Sequence, residues 1–147
     1  MIINKNKTFL KKLEGNIQWY IVDAQNYKLG RLTSRIAYIL KNKHETEYLP
    51  YQKGKAYVII INSKEIKTTG KKNQQKIYRK HSGRPGSMKI ERFGQLQERI
   101  PNRIIEHALK GMLPKNNLGR ELFKKVKIYP SNEHPHQSQN PITINID

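Results

Sequence analysis

Residues Tyr57 to Asn62 read YVIIIN, a run with four consecutive β-branched residues in a chain otherwise thick with lysine. A strand turns successive side chains to opposite faces, so an unbroken apolar run of strand length needs cover on both sides. That requirement leaves few architectures open. Helices give such cover to a parallel sheet, whereas a strand with one wet face would alternate apolar with polar.

The flanking segments agree with this. Trp19 to Asp23 (WYIVD) is a short aromatic and β-branched run that predicts a strand, and a helix follows the turn at Gln25-Asn26-Tyr27. Leu29, Leu32, Ile36, Ile39 and Leu40 recur at helical spacing, which turns Arg31 and Arg35 outward together. The stretch from Lys71 to Lys89 holds only Ile77, Tyr78 and Met88 as bulky apolar residues, so it reads as a loop or extended arm. Helical pattern then returns in two pieces. Ile90, Phe93 and Leu96 mark the first; Ile104, Ile105, Ala108, Leu109 and Met112 mark the second, with Pro101 in its opening turn and Gly111 and Pro114 closing it. A short basic helix around Arg120 to Lys125, a strand from Val126 to Tyr129 and an extended tail with three prolines complete the chain. Strands alternating with helices predict an α/β layer fold on a small, mainly parallel sheet. With 147 residues the chain matches a single domain of about 150. Residues 1–16 read as a basic N-terminal extension and 130–147 as an extended C-terminal tail.

Charge narrows the function. Lysine and arginine number 29 against 11 acids, a formal charge of +18, where about 2–8 keeps a small domain soluble. Like charge at this density repels itself, and a polyanionic partner relieves it. Between Ile66 and Ile90 there are eight lysines or arginines and no acid. Cysteine is absent, which excludes disulfides, thiolate catalysis and Cys-ligated zinc. No apolar run approaches the 18 or so residues of a membrane span, and the N-terminus lacks the apolar stretch of a secretory signal.

Several motifs invite a more specific reading and fail it. Lys67 to Lys72 (KTTGKK) resembles a phosphate-binding loop, but Glu65 stands where that loop needs glycine and Lys72 where it needs a hydroxyl. Gly83 to Gly86 (GRPG) matches the G-x-x-G clamp of KH domains, yet no amphipathic helix precedes it. His134 and His136 beside Glu133 lack further ligands at metal-binding spacing and read as packing or solvated residues. His107 falls opposite the apolar stripe of its helix and reads as surface. Asp23 and the glutamates are scattered singly, so neither catalysis nor a metal or other cofactor is expected.

The basic segments have a more coherent chemistry. Lys71, Lys72, Lys76, Arg79, Lys80, Arg84 and Lys89 form one cluster; Lys110, Lys115, Arg120, Lys124, Lys125 and Lys127 form another, countered by Glu121. Arginine grips phosphate with paired hydrogen bonds and lysine acts as a mobile point charge. Glycines 83, 86 and 119 allow close backbone approach, and Pro85 restricts the loop. Tyr48, Tyr51 and Tyr78 offer either core packing or stacking on unpaired bases. The loop from Arg79 to Lys89 is expected to be loosely held until nucleic acid orders it.

The blocks WYIVDAQNYKLGRLTSRIAYIL, YVIIINSKEIKTTGKK, YRKHSGRPGSMK, LKGMLPKNNLGRELFKKVKIY and EHPHQSQNP stand in an order and spacing that resemble the large-subunit ribosomal proteins of the bacterial-type L-thirteen family. The resemblance runs from about Trp19 to Pro141, with KGMLPKNNLGR its most specific block. It implies a three-layer α/β/α fold, no catalysis, no membrane and no homo-oligomer, direct binding to large-subunit ribosomal RNA during early assembly, and neighbouring ribosomal proteins as partners. The family's RNA-facing loop falls on Arg79, His81, Ser82, Gly83, Pro85 and Gly86, and its second block on Lys110 through Arg120, including Asn116. Lys55 stands where many relatives carry an acid, and residues before Trp19 are only loosely similar. A free-standing RNA-binding regulator is the alternative. Lysine outnumbers arginine 21 to 8 beside 19 isoleucines and 13 asparagines, a bias expected of an A+T-rich genome. The expected location is the plastid stroma, with the bacterial cytoplasm as alternative.

Overall fold

The computed structural model describes residues 17–46 and 48–145; the expected N-terminal extension lies outside them. Four strands form a parallel sheet: β1 (Gln18–Asp23), β2 (Ala56–Ile61), β5 (Val126–Ile128) and β6 (Ile142–Thr143), in the spatial order β5-β2-β1-β6. β1 and β2 run in full register from Gln18 opposite Ala56 to Asp23 opposite Ile61. The predicted α/β fold on a small parallel sheet is therefore present. β2 is its centre, and Val58, Ile59 and Ile60 are wholly buried, so both faces of this strand are covered as its sequence demands. Burying each such side chain contributes roughly 1.5–3 kcal/mol.

Alternation along the strands sorts the two faces. Val22, Ala24, Ala56, Val58 and Ile60 join the main apolar cluster with Leu32, Ile36 and Leu40 of α1 (Leu29–Leu40) and Ile104, Ile105 and Leu109 of α4 (Asn102–Met112). α1 and α4 pack on one another, and Thr33, buried inside α1, satisfies its hydroxyl on the Leu29 carbonyl at 2.8 Å. Trp19 and its register partner Tyr57 stack at 4.6 Å on the opposite face, where the His136 ring lies 5.3 Å from Trp19. Tyr129 and His136 share a hydrogen bond of 2.7 Å. The histidines of the tail thus act as packing groups.

Two segments differ from their sequence reading. The stretch around Lys71 to Lys89 is not a plain loop: after a short α2 (Lys72–Gln75) it forms an antiparallel hairpin of β3 (Ile77–Lys80) and β4 (Lys89–Arg92). Its strand pattern was masked because the buried face is carried by a single aromatic, Tyr78, while Ile77 and Ile90 are about half exposed on the other face. Ile90 accordingly belongs to β4, and α3 begins at Phe93 (Phe93–Arg99). The tail is not only extended, since β6 pairs with β1 and a 3₁₀ turn spans Gln137–Gln139. The basic helix α5 (Asn117–Lys124) and β5 lie where expected, and Gly111 falls inside the last turn of α4.

A polar joint ties the sheet to α4. The buried Ser63 hydroxyl is 2.6 Å from Asn102 Oδ1, and the Asn102 amide donates to the Ile128 carbonyl at 3.0 Å. Replacing Asn102 by alanine leaves a buried hydroxyl without its partner, a loss of about 1–3 kcal/mol. Urea denaturation of Asn102→Ala should show a midpoint lowered accordingly; an unchanged midpoint would mean the joint is dispensable.

Candidate nucleic-acid interface

The hairpin displays the first basic cluster. Cross-strand pairing sets Tyr78 opposite Glu91 and Lys80 opposite Lys89 on one face, with Ile77, Arg79, Ile90 and Arg92 on the other. Tyr78 seats the hairpin on the body, 6.4 Å from the Phe93 ring and edge-on to His107 of α4 at 5.3 Å. Burial raises the pKa of its hydroxyl, which has no hydrogen-bond partner among the described residues. Lys76, half-buried, lies 5.3 Å from this ring, an arrangement in which its cation meets the negative face of the aromatic. Phe93 N–H closes the base of the hairpin on the Lys76 carbonyl at 2.9 Å.

The connecting loop has a defined hydrogen-bonded geometry. Ser87 N–H donates to the Arg84 carbonyl at 3.2 Å, with Pro85 and Gly86 between them and Gly86 at φ +73°. This is the signature of a type II turn, with proline first and a left-handed glycine second. Ser87 Oγ also donates to the Arg84 carbonyl at 2.6 Å and meets Ser82 Oγ at 2.7 Å across the loop. His81 Nδ1 accepts from Gly83 N–H at 2.9 Å, so a neutral ring keeps its proton on Nε2. His81, Ser82, Gly83 and Gly86 therefore shape the loop, while the exposed Arg79, Lys80, Arg84 and Lys89 keep their cations on its surface. Lys71 and Lys72 are exposed at the start of α2.

The second cluster divides in two. Lys110, Lys115, Arg120 and Lys124 are exposed, with the Lys110 ammonium 4.6 Å from the Phe123 ring. Asn116 caps α5, its side-chain oxygen accepting from Gly119 N–H at 2.9 Å. Gly119 is buried, and a Cβ there would sit 1.8 Å from the Pro114 carbonyl oxygen. Lys125 is half-buried, donates to the Gly54 carbonyl and lies over the Tyr57 ring at 5.4 Å. Burial, with Lys53 nearby, lowers its pKa against the opposing pull of Glu121. The Glu121 carboxylate in turn is held down chiefly by its hydrogen bond to Lys53, at 2.6 Å. Charge alone could not separate these structural groups from solvent-facing cations.

One helix links the two clusters. Arg103, His107 and Lys110 fall at i, i+4 and i+7 along α4, all exposed, opposite the buried Ile104, Ile105 and Leu109. Arg103 and His107 were not among the residues picked out by charge clustering, because each stands alone in sequence; the helical spacing was the available signal. Together with Tyr78, Lys80 and Lys89 they line a cleft of about 420 Å³ between hairpin and helix. Arg31 and Arg35 are exposed on α1 as predicted, with the Arg35 guanidinium 5.6 Å from the Tyr38 ring.

Among the described residues no helix is long and apolar enough to cross a membrane, and no group of three or more histidines or carboxylates is placed to hold a metal ion. Fold and surface define a small, strongly basic α/β protein with its cations gathered on a hairpin and the adjoining helices. The chain belongs to the Ribosomal protein L13 family, whose model matches residues 17–135. That is a family of ribosomal proteins, not of enzymes. Similar proteins include the large ribosomal subunit protein uL13 of Thermosynechococcus vestitus, 58% identical over 130 residues and covering 87% of this chain and 86% of the relative. Those of Microcystis aeruginosa and Prochlorococcus marinus are 54% and 53% identical, covering 97% and 96% of this chain and 95% of each relative.

The split between surface and structural residues is measurable. Arg84→Ala should leave the thermal or urea unfolding midpoint within the equivalent of about 0.5 kcal/mol of the parent. Gly119→Ala, which forces a methyl group into a backbone carbonyl, should lose about 1–3 kcal/mol. Equal effects from the two substitutions would contradict the division.

Proposed function

We propose that this chain is a structural constituent of the large ribosomal subunit that binds large-subunit ribosomal RNA directly and supports early assembly of the particle, and thereby translation. The observation that carries the proposal is the gathering of cations with no acid among them in sequence, eight lysines or arginines between Ile66 and Ile90, around a hydrogen-bonded loop. A type II turn closes the loop at its tip beside Arg84. Exposed Arg79, Lys80, Arg84 and Lys89 contact phosphates, joined by Lys71, Lys72 and Lys76 at the hairpin base, Lys110 on α4, and Lys115, Arg120 and Lys124 beyond it. His81, Ser82, Gly83 and Gly86 hold the loop's shape, and Asn116, Gly119 and Lys125 set the geometry of α5 and its two ends. Family membership and relatives named as large-subunit proteins support the same reading. Neighbouring large-subunit proteins complete its surroundings.

The plastid is the proposed location. Lysine, isoleucine and asparagine are the enrichment an A+T-rich plastid genome produces, and the relatives described above are cyanobacterial. A bacterial cytoplasm is the competing reading.

Large subunits washed in moderate salt and sedimented through sucrose should retain the protein. Recovery in the free fraction alone would favour a free-standing regulator. Binding to purified large-subunit ribosomal RNA should weaken with salt, each neutralised phosphate adding roughly 0.7–0.9 to the slope of log affinity against log salt. Arg84→Ala should flatten that slope by about one unit; an unchanged slope would show Arg84 to be merely solvated.

A further inference from the structure

Beyond phosphate contacts, the cleft between the hairpin and α4 has the chemistry of a pocket. Its volume of about 420 Å³ falls within the roughly 300–1,000 Å³ of small-ligand sites. Tyr78 and Leu96 supply apolar and aromatic surface, His107 a second ring, and Lys80, Lys89 and Arg103 a cationic rim. Glu91, the acid at this cleft, is already engaged by Arg99.

The register adds an independent observation. Lys80 and Lys89 face each other directly across the hairpin, and like charges at opposed positions of an antiparallel pair repel. An anion between them removes that penalty. This pair is also the last before the 81–88 loop, so a backbone held by the loop passes beside the mouth of the cleft.

We propose that the cleft receives a single unpaired nucleotide of the bound RNA, its base against Tyr78 and His107 and its phosphate between Lys80, Lys89 and Arg103. The inference rests on the RNA-binding reading above and specifies what that surface selects. A base offers a π face to the rings while its phosphate meets the cations, two demands that an acidic side chain or free phosphate does not meet together. The cleft makes RNA with a displaced nucleotide a better ligand than an uninterrupted duplex.

The full-length protein bound to purified large-subunit ribosomal RNA provides the test, with base-reactive and backbone-cleaving probes used in parallel. Wild type should protect at least one unpaired base. Arg103→Ala combined with His107→Ala should abolish that base protection and weaken binding about tenfold, within the range of lost base stacking. Backbone protections made by the loop should remain. Arg103 is exposed and His107 packs edge-on against Tyr78, so the melting of the variant is compared with the parent; if it melts early, Arg103→Gln alone, which leaves that ring contact in place, serves as the alternative and should likewise lose the base protection. Base protection identical in wild type and variant would overturn the proposal, as would backbone protection with no protected base, which indicates phosphate binding alone. Absence of any footprint from wild type would remove the RNA-binding reading as well.

Discussion

The parallel ladder between β1 and β2 is the constraint on which the rest of the structure depends. It places Val58, Ile59 and Ile60 out of water on both sides, which requires α1 and α4 on one face and draws Trp19, Tyr57 and His136 together on the other. A chain carrying +18 can afford such a dry centre only by sending its cations outward. The hairpin and the outer face of α4 receive some of them, and α1 and α5 expose others. The candidate interface is thus partly a by-product of the core: Ile104, Ile105 and Leu109 face inward, so Arg103, His107 and Lys110 face outward.

Much of this was legible in the sequence, and the reasons differ by segment. β2 and α1 declared themselves because their apolar residues follow a clear rule, continuous in one and at helical spacing in the other. The hairpin did not, since one half-buried tyrosine anchors it and its isoleucines face outward. Strand recognition from alternation presumes a buried apolar face, and here the apolar residues mark the exposed one. β6 was hidden for a related reason: two residues, both exposed, carry no pattern.

The candidate site was legible as composition but not as a division of labour. Gly119 was picked for close approach to a phosphate, yet its missing side chain makes room for the Pro114 carbonyl. Lys125 was counted with the mobile cations, although the Gly54 carbonyl and the Tyr57 ring hold it. Both follow from three-dimensional neighbours 5 to 71 positions away, which local charge cannot report. Pro85 was read as restricting the loop, and the turn at Pro85-Gly86, with the serine contacts across it, gives the loop a defined shape. Such preorganisation lowers the entropy cost of ordering on binding.

The central claim is that the hairpin loop and the outer face of the α4–α5 region meet RNA, while the sheet centre does not. Ultraviolet cross-linking of intact large subunits, with mass spectrometry of the RNA-bound peptides, addresses it most directly. Cross-linked peptides are expected from residues 79–89 and 103–120. Cross-links confined to the strands of the sheet, with none in those two stretches, would contradict it.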